Sequence, residues 1–344
     1  MIKYIVKRLL LMIPILLCII LIVMILLEIT PGDPARIVAG TTATEEEYLK
    51  VREDLKLDDP FLKKYFDFIV GAVQLDFGTS FITKTDVFDD IMVRFPYTVI
   101  LAFASCILAV LLGLPLGIVA ATNQNTWKDY IAIFISLICS SMPAFWFALM
   151  LVQWFAVKIQ IFPVSGIDSW LGWVLPVISQ ALGFMASIAR LTRSSTLEVI
   201  RADYITTARA KGVPERSVLY RHVLKNSLIP VVTSVGSMFG MSLGGAMIAE
   251  TIFSVPGLGT YTLVGLTNRD YPVIKGTVLW LSLLFSVVIL LIDVVYAFID
   301  PRIRSQYVKG KKSKKSTDSD GTGSDDAGSD GADSNSENLV AGEA

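Results

Sequence analysis

The sequence predicts an all-α polytopic membrane protein with six transmembrane helices. Three observations lead there. Only 18% of the 344 residues are charged and 53% are hydrophobic, whereas a soluble domain carries about 25% charged residues. Mean hydropathy is +0.61. Apolar runs at 9–29, 97–121, 130–157, 173–190, 228–249 and 276–299 come close to or exceed the ~20 residues that cross a bilayer core.

Lys3, Lys7 and Arg8 precede the first run, as in a secretory signal. However, residues 9–27 hold 19 uncharged positions, more than the ~7–15 of a signal core, and no small-x-small cleavage site follows. The run reads as a retained helix, and residues 1–30 as the first transmembrane segment. Cys18, Cys106 and Cys139 all lie inside apolar runs, where they pack as small side chains and indicate neither a disulfide nor a metal framework.

Residues 31–96 form an external region with short helices. TATEEEYLKVREDL places Thr44 three residues before Glu47, the spacing of a capping box, and Pro60 opens a second stretch, FLKKYFDFIVGAV. Residues 97–305 then make a five-helix core. Its short loops set the orientation, because Lys and Arg near span ends stay in the cytoplasm. The 191–227 connection carries Arg193, Arg201, Arg209, Lys211, Arg216, Arg221 and Lys225, and basic residues resume at Arg302 and Arg304. The loops at 158–172 and 250–275 carry only Lys158, Arg269 and Lys275. Both termini are therefore expected in the cytoplasm, which an even number of spans satisfies. Residues 306–344, rich in Ser, Asp and Gly and without an aromatic residue from 309 onward, read as a disordered cytoplasmic tail. From 309 onward the tail holds five lysines against eight carboxylates, and the lysines can touch anionic lipid headgroups.

Within the polar connection, residues 202–211 read as a short helix of small and polar side chains. Gly212 follows where a left-handed residue ends a helix, and Pro214 with Glu215 suits the first turn of the next. The result is a rigid helix–turn–helix exposed outside the membrane. ITTARAK lacks the large apolar residues that anchor an interfacial helix, so docking to another protein is the favoured reading. His222, the only histidine, supports this loop.

DYITTARAKGVPERSVLYRHVLKNSLIPVVT, from 203 on, resembles the coupling-loop motif of permease subunits in binding-protein-dependent ABC importers, in particular the dipeptide, oligopeptide and nickel branch. ITPGDPA, QLDFGTSF, RFPYTVILA, SMPAFWFALML, FPVSG, LPVISQ, ARLTRSSTLEVIRADY and ETIFSVPGLGTY match in the same order, so the resemblance spans residues 1 to about 305. The broad motif begins Glu-Ala-Ala where this chain has Thr206, Thr207 and Ala208, a departure that points to the peptide branch.

The resemblance implies a type I ABC importer permease fold. Thr206, Thr207, Ala208, Arg209, Ala210, Lys211 and Gly212 would form the coupling helix that enters a groove on a nucleotide-binding subunit. The implied partners are a second homologous permease, two ATPase subunits, an extracellular substrate-binding protein and membrane lipid, with no nucleic acid. The implied location is a bacterial or archaeal cytoplasmic membrane. The chain carries no G-x-x-x-x-G-K-[ST], so no cofactor is expected on it and ATP belongs to the partners.

Gly236, Gly240 and Gly244 make two successive G-x-x-x-G steps on the fifth span. Helix packing is the default reading of that stripe and lining of a translocation path the sharper one, which the resemblance raises. Gly113 and Gly117 flank Pro115 in the second span. Pro256, Gly257 and Gly259 interrupt any helix after the fifth span and by resemblance mark an external gate, a surface turn being the alternative. A secondary transporter would carry ionisable residues near the membrane midplane. Here Glu28, Arg190 and Glu250 lie at span ends and Asp293 near the cytoplasmic end of the last span. An intramembrane enzyme finds no H-E-x-x-H, and GMSLG at 240–244, which fits G-x-S-x-G by spacing, lies inside an apolar run rather than at a strand-to-helix turn. The expected function is peptide import (dipeptides or oligopeptides), with nickel or glutathione as the alternative cargo.

Overall fold

The structure, a computed structural model, describes residues 2–40 and 42–299. The 306–344 tail and the basic residues Arg302 and Arg304 lie outside them. Fourteen α-helices account for nearly all of the described chain, and the only pairing of extended segments is an isolated bridge between Thr79 and Asp86.

Helix α1 (Ile2–Ile29) is followed by three short helices, α2 (Pro34–Ala39), α3 (Glu45–Asp54) and α4 (Phe61–Val73). These build a folded cap. Asp33 caps α2 through the Ala35 N–H at 2.8 Å, accepts the Tyr48 hydroxyl, and pairs with Arg52 at 2.9 Å. Thr44 and Glu47 form the expected capping box on α3, with the Thr44 N–H donating to Glu47 at 2.8 Å. Burial raises the pKa of Asp33, but the Tyr48 and Ala35 hydrogen bonds and the charges of Arg52 and Arg36 outweigh it, so the carboxyl sits below its ordinary value.

Helix α5 (Val87–Thr122) runs the full thickness of the bundle with Pro96 and Pro115 inside it. It is followed by α6 (Trp127–Ser141) and α7 (Ala144–Leu151), the latter continuing as a π-helical segment over Val152–Lys158. The single run expected at 130–157 is therefore two helices, bent by 99°. Pro143 is the cause: it forces the residue before it out of the helical region, and Met142 adopts ψ 130°.

Helix α8 (Val174–Ile200) outlasts its apolar run and extends into the polar connection. It packs along α5 in the most extensive helix pair of the molecule. Gly113 and Gly117 make this possible, since a Cβ on either would come within 2.7 Å of Met185 O and 2.5 Å of Ala189 O respectively. A short helix, α9 (Asp203–Ala210), follows. Next comes α10 (Glu215–Ser217), which passes through a π segment (Val218–Val223) into α11 (Leu224–Gly245). The second helix of the polar loop and the fifth span, expected as separate pieces, are one 30-residue stretch from Glu215 to Gly244. Pro230 does not interrupt it.

Helices α12 (Met247–Phe253) and α13 (Leu258–Thr267) precede the last long helix, α14 (Tyr271–Ile299). Among the described residues, five helices are long and apolar enough to cross a bilayer, and the bent α6–α7 pair would make a sixth. α1 and α14 lie side by side, tied by an Arg8–Asp293 ion pair at 2.6 Å. Leu10, Ile13, Ile22 and Leu26 on α1 remain exposed, as expected of a surface that faces lipid rather than water.

Candidate functional site

Three features converge on function: the α9 turn at one end of the bundle, the glycine stripe on α11, and the Glu250 cradle near the end that bears the cap.

Helix α9 stands out from the bundle yet is firmly seated. Ile205 is fully buried against Val218 and Val223, with Val199, Ile200, Val213 and Leu219 packed around them. Burying one such side chain contributes about 1.5–3 kcal/mol. The opposite face is open: Thr206, Thr207, Arg209, Ala210, Lys211 and Gly212 are exposed and Ala208 is half-buried. Gly212 takes φ +77°, the left-handed conformation that glycine adopts without the steric penalty of a Cβ. This confirms the expected C′ position. Arg209 forks onto Glu215 with N···O distances of 2.6 and 3.2 Å, closing the turn across Gly212. That bond holds the Arg209 guanidinium above its usual pKa, so the charge is permanent. Arg209 was expected to face a partner, and it also braces its own loop.

The base of α9 is anchored by residues that the sequence pattern did not mark as a site. Asp129 on α6 is 1% exposed and receives both Arg193 Nε (2.7 Å) and Nη2 (2.8 Å) from α8. Such a bidentate pair fixes angle as well as distance. Ser195 Oγ donates to Ser227 O at 2.6 Å, tying α8 to α11 on either side of α9. Arg193 stood out in the sequence only as one of several topology-setting cations. Its partner lies 64 positions away, a distance at which no local pattern announces a pair.

The stripe on α11 divides in two. A Cβ on Gly236 would fall 2.5 Å from Ile292 Cγ1, and one on Gly240 3.1 Å from Phe285 Cδ2. These two glycines let α11 and α14 touch. Gly244 has nothing within 4 Å of a built Cβ and faces a cavity of about 620 Å3 shared with Ile15 and Phe285.

Beyond Phe253, Ser254 turns the chain through a left-handed conformation, and Pro256, Gly257 and Gly259 lead into α13. The interruption expected of these residues stands at Pro256 and Gly257, whereas Gly259 lies inside α13. What holds it is Glu250, fully buried. Its carboxylate accepts the Thr98 hydroxyl at 2.6 Å and the Thr260 N–H at 3.0 Å. The Thr98 oxygen in turn accepts the Leu258 N–H at 2.8 Å. A carboxylate at the first turn of α13 meets its unpaired N–H groups and the positive end of its dipole. Gly257 gives it room, since a Cβ there would lie 2.3 Å from the Glu250 carboxyl. Glu250 stood within the quoted ETIFSVPGLG segment, but its tie to Thr98 on α5 needs the fold.

Comparison with known proteins gives the family and the fold. Residues 113–305 match the family model described as binding-protein-dependent transport system inner membrane component, and residues 1–102 match the N-terminal model of the same systems. The glutathione transport system permease protein GsiC of Escherichia coli (strain K12) is 41% identical over 304 residues, covering 88% of this chain and 99% of that protein. GsiC of Pectobacterium atrosepticum gives the same figures. Among solved structures, a chain of the inward-facing MetNI methionine ABC transporter superposes with TM-score 0.53 at 17% identity, covering 61% of this chain and 96% of that one. That likeness gives the fold, a type I ABC importer permease. The chain belongs to the family of inner-membrane components of binding-protein-dependent transport systems, as a multi-pass permease subunit of an ABC importer.

Proposed function

We propose that this permease forms half of the translocation path of an ATP-driven importer for short peptides, glutathione among them. The second half would be a homologous permease, and a pair of ATPase subunits would drive the cycle. An extracellular binding protein would deliver the cargo. ATP is then a ligand of the partners, and this chain performs no hydrolysis. Both termini are assigned to the cytoplasm in this reading.

The observation that carries this reading is the α9 turn. A helix with one buried anchor and an open face of small and polar residues fits a groove on another protein. Closure of the ATPase pair would push on this face. Because α9 is joined to α8, to α11 and through Asp129 to α6, a displacement at Thr206–Gly212 is passed to several membrane helices as a rigid-body tilt. Glutathione, the alternative cargo of the sequence reading, enters through the relatives named for it and is itself a small peptide.

The test is uptake into proteoliposomes holding this chain, its co-purifying subunits and the binding protein. ATP-dependent accumulation of radiolabelled dipeptides or glutathione is expected. Accumulation of nickel with neither peptide would overturn the cargo assignment.

A further inference from the structure

At the end of the bundle that bears the cap, α1, α4 and α14 enclose a cavity of about 300 Å3. Its volume sits at the lower bound of small-ligand pockets. Met24 and Leu27 of α1 and Phe68 of α4 give it apolar walls, and Lys275 of α14 lies in its lining. Lys275 is half-buried. Its ammonium lies 4.8 Å from the centroid of the Phe68 ring and has no ion pair or hydrogen bond among the described residues. A cation largely removed from water without a counter-charge is costly, and proteins pair such groups or supply a ligand.

The neighbouring charges are arranged unevenly. Lys64 is committed, donating to both Glu28 oxygens at 3.0 Å and to Leu57 O at 3.4 Å. Asp59 pairs with Lys63 at 3.0 Å. Asp67 and Asp76 also line the cavity, are exposed, and form no ion pair among the described residues. Asp76 accepts only the Gly78 N–H, at 2.8 Å. Besides the exposed Lys56, which also lines it, the cavity thus offers a half-buried cation against an aromatic wall and two exposed carboxylates. That is the complement of a small zwitterion whose anionic group enters first and whose ammonium stays near water.

We propose that this cavity binds a zwitterion bearing a phosphate or carboxylate and a primary ammonium. Lys275 takes the anionic group, and Asp67 with Asp76 takes the ammonium. The same chemistry comes from two sources. One is a phosphatidylethanolamine headgroup, whose chains would lie along Met24 and Leu27. The other is a free solute. The site is separate from the α9 turn and does not depend on the cargo assignment above.

Native mass spectrometry of the assembly purified through this chain tests the proposal. It would be reconstituted in nanodiscs containing phosphatidylethanolamine or, for comparison, phosphatidylcholine, and separately titrated with phosphoethanolamine. Lys275→Met keeps side-chain length without charge, and Asp67→Asn changes an exposed residue and leaves folding intact. Retention of phosphatidylethanolamine over phosphatidylcholine, reduced roughly tenfold by Lys275→Met and measurably by Asp67→Asn, supports the site with a lipid source. Binding of free phosphoethanolamine with the same dependence on both variants, and without retained lipid, supports a soluble one. Binding unchanged in Asp67→Asn, or no zwitterion bound by the unaltered protein, would overturn the proposal.

Discussion

At the residue scale, two buried carboxylates hold the working ends of the molecule, and each answers to a single partner set. Asp129 is nearly inaccessible and neutralised by the fork of Arg193. Removing the arginine strands the charge, which costs about 3–5 kcal/mol when such a pair is broken one-sidedly. Arg193→Ala should therefore lower the thermal midpoint of the purified subunit sharply. Asp129→Ala in the same chain should recover much of that loss. A double-mutant cycle reads the coupling directly, and strict additivity would show that the pair does not anchor α6 to α8. Glu250 offers a steric test. Gly257→Ala places a methyl group where the carboxyl stands, so it should destabilise by roughly 1–3 kcal/mol and expose the 254–260 turn to hydrogen exchange. Unaltered protection there would mean that the carboxylate shifts without consequence.

At the element scale, how far the sequence foretold the structure differs from helix to helix. The capping box of α3 and the left-handed end of α9 are local events, written in four to six adjacent residues, and both stand where expected. The break between α6 and α7 is different. Pro14, Pro96, Pro115 and Pro230 all lie inside continuous helices, so a proline within an apolar run does not by itself announce a break. Pro143 does so because the chain turns there onto the α8 and α12 surface, where Ala148 and Leu151 are buried. Likewise the polar residues 215–223 continue a membrane helix, which hydropathy alone divides from it. The Asp129 and Glu250 anchors were illegible because their partners are remote in sequence.

Two expectations belong to single elements. Ile205→Ala removes the one buried anchor of α9, a change worth about 2–5 kcal/mol. It should leave the subunit in the membrane while freeing residues 203–212 to rapid hydrogen exchange, and slow exchange in the variant would show that α9 is held by other means. In the cap, Asp33 has a lowered pKa, so its stabilisation is fully present above the unfolded carboxylate value of about 3.9 and is lost as pH falls through the lower folded value. Hydrogen exchange of α2 and α3 should accelerate on acidification within that acid range, and Asp33→Asn should abolish the pH dependence. An equal pH response in Asp33→Asn would assign it to another group.

At the scale of the whole molecule, the proposed coupling would run from the α9 face to the 254–260 turn. The α9 face at one end, the α5–α8 pair through the middle and the Glu250 cradle beyond it form one packed series. Thr98, which holds the cradle, lies on the same α5 that α8 grips through Gly113 and Gly117. Under the proposed function, a tilt begun at α9 would reach the 254–260 turn through these contacts. Gly244 opens onto the cavity that α11 shares with α1 and α14. The central claim is that the α9 face seats on an ATPase subunit. It is tested most directly by a mild-detergent pull-down from the native membrane, comparing the unaltered chain with Ala208→Trp, which fills the half-buried position on that face. The unaltered chain should retain a homologous permease and P-loop ATPases, and Ala208→Trp should retain the permease while losing the ATPases. Equal recovery of ATPases by both, or recovery of neither partner by the unaltered chain, would contradict it.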